Sequence, residues 1–110
     1  MSHTRMAYVA LALLWAAIPA TATPAMAASF NCTIADKPDE VLICQNERLS
    51  SLDERMSSLY FRLRNSLAGR ARDRLEAEQA SWLQQRFACG RDYDCIRGLY
   101  ESRIADLANY

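Results

Sequence analysis

Four cysteines, Cys32, Cys44, Cys89 and Cys95, most strongly limit what this chain of 110 residues can fold into. Domains of this size bury a modest core, so covalent cross-links contribute a large share of their stability. An even number of cysteines in a small chain outside the reducing cytoplasm favours disulfides. Zinc sites with four thiolates usually contain two pairs of cysteines with the spacing C-x-x-C, and redox sites contain one such pair. That spacing does not occur in this chain. Three disulfide pairings are possible, and the short spacings favour Cys32 with Cys44 and Cys89 with Cys95 without excluding the others.

Residues 1–27 have the organisation of an export signal. Arg5 precedes an apolar run from Met6 to Ile18, and Ala25-Met26-Ala27 fits the small-x-small pattern of a signal-peptidase site. The run is too short for a permanent transmembrane helix, and no later segment approaches the roughly 20 apolar residues that a span needs. We therefore expect cleavage near Ala27, a mature domain at residues 28–110 in the periplasm or outside the cell, and no membrane span.

Three segments of the mature chain predict amphipathic helices, because their apolar residues recur at steps of three and four. The first runs from Asn46, a candidate N-cap, to Leu67, the second from about residue 71 to 87, and the third from about residue 94 to 107. Gly69 either ends the first helix or kinks a continuous one.

The helical segments supply the predicted core, and no segment has the alternation of a β-strand. The core candidates are Leu49, Leu52, Met56, Leu59, Tyr60, Leu63, Leu67, Leu75, Trp82, Leu83, Phe87, Ile96, Leu99, Tyr100, Ile104 and Leu107. We predict an all-α fold: a small three-helix bundle or helical hairpin with an irregular N-terminal arm at residues 28–45, stapled by two disulfides.

Composition argues against several classes of function. His3 is the only histidine and lies in the export signal, so the mature domain has no Ser-His or Cys-His base and no imidazole metal ligand. Acidic and basic residues are 13 each in the full chain, without the basic excess of a nucleic-acid binder. We interpret neighbouring acids such as Asp53 and Glu54 as solvated helix faces rather than as a glycosidase acid and base. We expect a protein that is not an enzyme and that uses no cofactor or metal.

The stretch CGRDYDC at residues 89–95 is the candidate binding element. A disulfide between its ends would fix a short turn that carries Arg91, Asp92, Tyr93 and Asp94, and a fixed loop loses less freedom on binding. In this interpretation Tyr93 is an exposed anchor between charges. In the other interpretation the stretch is only a staple, in which Gly90 ends one helix and Asp92 caps the next. The two interpretations are compatible.

The order of these residues resembles the LprI-type lysozyme inhibitor domain over nearly the whole mature chain. The resemblance lies in an N-terminal cysteine followed by Leu42-Ile43-Cys44, Leu49-x-x-Leu52-Asp53, Leu59-Tyr60, Glu78-Gln79-x-x-Trp82-Leu83-x-x-Arg86-x-x-Cys89 and Cys95-x-x-x-x-Tyr100-x-x-Arg103-Ile104-x-x-Leu107. It implies a small secreted or periplasmic helical module with two disulfides. The member that gave the family its name is a lipoprotein, whereas Ser29-Phe30-Asn31 before Cys32 lack the small-residue pattern of a lipoprotein cleavage site.

From this resemblance we expect an exported protein whose partner is lysozyme and whose binding protects peptidoglycan. Animal lysozymes are strongly basic, so we place the contact at Asp92, Tyr93 and Asp94, with Arg91 reaching the catalytic carboxyl groups. The alternative is a periplasmic envelope protein-interaction module without lysozyme activity. That module would show a contiguous apolar patch around Trp82 or Phe87.

Overall fold

The structure is a computed structural model that describes residues 28–110, so the predicted export signal lies outside the described residues. This range forms four helices without a strand: α1 (Pro38–Gln45), α2 (Glu47–Ser66), α3 (Gly69–Ala88) and α4 (Tyr93–Ala108). The all-α prediction is confirmed, and α2, α3 and α4 are the three predicted helices.

The N-terminal arm is not irregular throughout, because its second half forms α1. Pro38 occupies the first turn, where its fixed φ favours a helix and its missing N–H costs nothing. Asp39 and Glu40 follow in the same turn, where the helix dipole favours negative charge. Helical periodicity does not predict α1, because eight residues are too few to show a helical period.

One residue separates α1 from α2. Asn46 has an extended backbone, and its side chain accepts a hydrogen bond from the Leu49 N–H at 3.0 Å, which confirms the predicted N-cap. The Ser50 hydroxyl donates to the Ile43 carbonyl at 2.6 Å and so satisfies an acceptor in the last turn of α1. These bonds hold the two helices at a fixed corner.

The connection between α2 and α3 decides the alternatives that the sequence left open at Gly69. Leu67 and Ala68 are extended, and Gly69 has a φ of 58°, in the left-handed region that glycine adopts without strain. The two helices are therefore separate.

The core lies between α2 and α4, with α1 packed on α2 and α3 packed on α4. Its buried apolar side chains are Ala28, Ile43, Leu49, Leu52, Met56, Leu75, Trp82, Ile96, Tyr100, Ile104 and Leu107. Two predicted core residues are wrong, since Leu83 is 39% exposed and Phe87 is 55% exposed. The buried face of α3 follows Leu75, Gln79, Trp82 and Arg86, and the two exposed residues each lie one position beyond that line.

Both disulfides have the pairing that spacing favoured. Cys32–Cys44 joins the start of the arm to the end of α1, and Cys89–Cys95 joins the end of α3 to the first turn of α4. Each closes a short stretch of chain, with sequence separations of 12 and 6.

We expect replacement of either cysteine pair by serine to lower the free energy of unfolding by about 2 to 3 kcal/mol, slightly more for Cys32 and Cys44 because they close the longer loop. Urea denaturation of the oxidised wild type and the two double variants measures this loss. Equal midpoints for all three proteins would contradict the prediction.

Candidate functional site

Residues 89–95 form a stapled corner between α3 and α4. Cys89 caps the end of α3, and Gly90 turns the chain with a φ of 58°. Asp92 is the N-cap of α4, where its side chain accepts from the Cys95 N–H at 3.1 Å. Three local features therefore form this corner: a glycine turn, a helix N-cap and a disulfide.

The four candidate contact residues differ in how far they are available to a partner. Arg91 is exposed and donates to the Gln45 side chain at 3.3 Å. Asp94 is also exposed and lies 3.6 Å from Arg97. Tyr93 is less exposed than predicted, because its ring packs against the core. The corner thus presents three solvent-facing charges, Arg91, Asp92 and Asp94, beside a half-buried Tyr93.

A second cluster of polar residues is buried at the centre of the domain. Arg86 is 5% exposed, Asp39 is 1% exposed and Asp53 is 0% exposed. The sequence interpretation of Asp53 as part of a solvated helix face is therefore wrong. We call Asp39, Asp53, Arg86 and Tyr100 the buried charge network.

The network is connected by short hydrogen bonds centred on Arg86. Its Nε donates to Asp39 Oδ2 at 2.8 Å, and its Nη1 donates to the Tyr100 hydroxyl at 3.1 Å. Tyr100 in turn donates to Asp53 Oδ1 at 2.8 Å. The Ser29 N–H donates to the other oxygen of Asp53 and so attaches the N-terminal arm.

The surroundings of Arg86 keep its side chain charged. Burial alone would lower the pKa of Arg86, but Tyr100 and the hydrogen-bonded Asp39 hold it above the ordinary value. The rings of Phe30 and Trp82 lie 5.4 and 5.8 Å from the guanidinium carbon and add cation–π attraction. Asp39 Oδ1 is buried without a hydrogen-bond partner among residues 28–110, and the remaining bonds of the network fix the positions of the helices.

The positions of Asp53 and Arg86 along their helices indicate that both residues are buried. Asp53 lies one turn after Leu49 and one turn before Met56, and Arg86 lies one turn after Trp82. A charged residue inside a buried stripe is a candidate for a buried ion pair, although periodicity does not identify its partner.

We expect Arg86→Met to lower the free energy of unfolding by about 3 to 5 kcal/mol, because it leaves two buried carboxylates without their cation. Arg48→Met is the matched control, since Arg48 forms an exposed pair with Glu101 and should cost less than about 1 kcal/mol. Equal losses in urea denaturation would show that the network does not stabilise the fold.

The network also predicts a loss of stability in alkali. Burial and the nearby Asp53 carboxylate raise the pKa of Tyr100 above its ordinary value of 10.0, so the folded chain holds this proton more tightly than the unfolded chain. The stability from this group is complete below pH 10 and is lost as the pH rises above it, by up to about 1.4 kcal/mol per pH unit. Tyr100→Phe should remove that dependence and the exposed Tyr110→Phe should keep it, as measured by urea unfolding between about pH 9 and 11.

Two grooves run along opposite sides of α3. The α3/α4 groove encloses about 500 Å³ and includes Trp82, Leu99 and Arg103 in its lining. The α2/α3 groove encloses about 640 Å³ and opens beside Phe61 and Leu83. Exposed Phe87 continues from Leu83 along α3, so Phe61, Leu83 and Phe87 form what we call the apolar strip.

The described residues give no sign of a metal site or a membrane segment. No group of three or more His, Cys, Asp or Glu side chains among residues 28–110 is arranged to hold a metal ion. No helix in the same range is both long and apolar enough to cross a membrane.

Comparison with known proteins identifies relatives that match nearly all of the folded domain. Residues 32–107 match the family described as "Lysozyme inhibitor LprI". Proteins named "Lipoprotein LprI" from Mycobacterium bovis and from two strains of Mycobacterium tuberculosis are 36% identical to the chain over 91 residues. The match covers 80% of this chain and 45% of each relative, so the chain spans less than half the length of these relatives. No solved structure matches.

The matched range begins at Cys32 and includes all four cysteines, the buried charge network and the stapled corner. Family membership and two disulfides together indicate an extracytoplasmic location. The chain belongs to the LprI family of lysozyme inhibitors.

Proposed function

We propose that this protein binds lysozyme and blocks its action on peptidoglycan. The observation that carries the proposal is the family match across residues 32–107, which spans nearly all of the folded domain. Cleavage near Ala27 would release the domain into the periplasm or the medium, where it would meet lysozyme. The relatives are longer than this chain, so lysozyme inhibition by this chain is itself part of the proposal.

The stapled corner is the proposed contact surface. Its backbone is held by Cys89–Cys95 and by the Asp92 cap, so binding orders few additional groups. Arg91 and Asp94 project from it into solvent. The whole chain has a formal net charge of zero, so attraction to a basic enzyme must come from local charges such as Asp94.

The four corner residues differ in their structural surroundings. Asp92 holds the N-terminus of α4 and Tyr93 packs on the core, so replacing either one would disturb the corner as well as the surface. Substitutions at Arg91 and Asp94 therefore test binding without removing the N-cap of α4 or the core contact of Tyr93.

Lysis of peptidoglycan, followed by turbidity, should slow when the oxidised protein is added to lysozyme. The Arg91→Ala/Asp94→Ala variant should need about ten times more protein for the same inhibition, which corresponds to the loss of about 1.4 kcal/mol of binding free energy. Arg70→Ala/Asp73→Ala is the matched control, because it removes the same two charges at the same spacing from exposed positions on α3.

Two outcomes would contradict the proposal at different levels. Unchanged lysis at a large molar excess over several lysozyme types would refute lysozyme inhibition itself. Inhibition that is equally strong in the corner variant and its control would refute only the placement of the contact.

A second candidate function follows from the apolar strip. Phe61 and Phe87 are exposed aromatic residues on neighbouring helices, and Leu83 lies between them. Exposed apolar side chains of this kind are typical of protein interaction surfaces. The strip therefore favours a role as an envelope interaction module. In that case the protein should leave lysis unchanged, and Phe87→Ser should abolish its binding to a partner protein.

A further inference from the structure

The α3/α4 groove contains a buried arginine that forms no direct ion pair with the described residues. Arg103 is 6% exposed, and its Nε donates to Gln79 Oε1 at 3.0 Å. Its Nη2 is buried without a hydrogen-bond partner among residues 28–110, and Arg103 forms no salt bridge within that range. A buried cation without a counter-ion is destabilising unless another group compensates it.

Comparison of Arg103 with Arg86 shows that the fold itself can satisfy a buried arginine. Arg86 is buried to the same degree, yet it has Asp39 at 2.8 Å, Asp53 at 3.7 Å and Tyr100 at 3.1 Å. Arg103 has only the neutral Gln79. Asp39 Oδ1 is also buried without a partner among these residues, but Asp39 lines neither groove, so of the two only Arg103 borders space that a partner from outside the domain could occupy.

The charges around Arg103 restrict what that partner can be. Glu78 on α3 and Asp106 on α4 also line the groove, and neither forms a salt bridge among the described residues. A simple anion would be attracted by Arg103 and repelled by both acids. A ligand with one carboxylate and one ammonium group would satisfy the cation at the base and the acids at the side.

The remaining lining suits a small organic molecule with an apolar part. Trp82, Leu99 and Tyr110 contribute apolar surface, and Ser102 contributes a hydroxyl. The volume of about 500 Å³ lies within the range of small-ligand sites.

We propose that the α3/α4 groove is a binding site for a zwitterionic amino acid or short peptide, with Arg103 holding its carboxylate and Glu78 and Asp106 holding its ammonium group. The proposal does not depend on lysozyme binding, because none of these residues belongs to the stapled corner.

Phenylalanine is the first probe, because it carries both charges and an apolar ring. Titration of the oxidised full domain, followed by two-dimensional amide NMR, should give saturable shifts at Arg103 and its neighbours with a Kd on the order of 1 mM. Phenylalanine amide lacks the carboxylate and N-acetylphenylalanine lacks the ammonium group, and each should bind about tenfold more weakly. Equal shifts with all three compounds, or no saturable shift with any, would overturn the proposal.

Arg103→Met tests whether the arginine serves the ligand or the fold. It should abolish phenylalanine binding while changing the Tm by less than about 5 °C, because an unpaired buried charge is replaced by an apolar side chain of similar length. Arg97→Met is the control on the same helix and should keep the affinity. If Arg103→Met lowered the Tm as far as Arg86→Met, Arg103 would be a structural residue and the proposal would fail.

The two acids are tested separately from the arginine. Glu78→Gln/Asp106→Asn should weaken phenylalanine about tenfold, because the acids hold its ammonium group, and should not weaken N-acetylphenylalanine, a simple anion that both acids repel. Loss of affinity for both compounds to the same extent would refute the assigned role of the acids.

Discussion

The ion pair between Arg86 and Asp39 is the interaction on which the rest of the structure depends. Through Tyr100 and Asp53 it joins α3 to α1, α4 and α2, and through Ser29 it reaches the N-terminal arm. Burying these charges separately would cost several kcal/mol for each ion. The hydrogen bonds among these residues offset part of that cost, so the network favours an arrangement of the four helices that brings Arg86, Asp39, Tyr100 and Asp53 together.

The disulfides and the buried charge network constrain different parts of the chain. Each disulfide closes a local stretch, whereas the bonds from Arg86 to Asp39 and from Tyr100 to Asp53 each join residues 47 positions apart. Local cross-links act mainly on the unfolded chain by reducing its freedom. They leave open how α3 and α4 are placed against α1 and α2, and the long-range polar contacts supply that information.

Helical periodicity predicted α2, α3 and α4 because each contains several turns of apolar residues. It failed where the determining contact lies far along the chain. Its charge predicts a solvent-exposed Asp53, because the partners that bury it, Tyr100 and Ser29, lie on other parts of the chain. Apolar character places Leu83 and Phe87 in the core, but the face of α3 that packs inward carries Leu75, Gln79, Trp82 and Arg86. At the corner, glycine and aspartate predicted the turn and the cap, whereas the packing of Tyr93 on the core depends on residues that the local sequence does not identify.

The position of α3 explains why this domain has surfaces left for binding. Trp82 and Arg86 hold the helix against α4 and the centre of the network, whereas its contact with α2 is slight. One side of α3 consequently borders the α3/α4 groove and the other exposes part of the apolar strip. Because the network that holds α3 is buried, and the corner, groove edges and strip are outside it, surface residues can be altered to change binding while the helices keep their positions. In this small domain the buried charge network holds the helices together from the centre. The corner, the α3/α4 groove and the apolar strip therefore remain exposed on the surface.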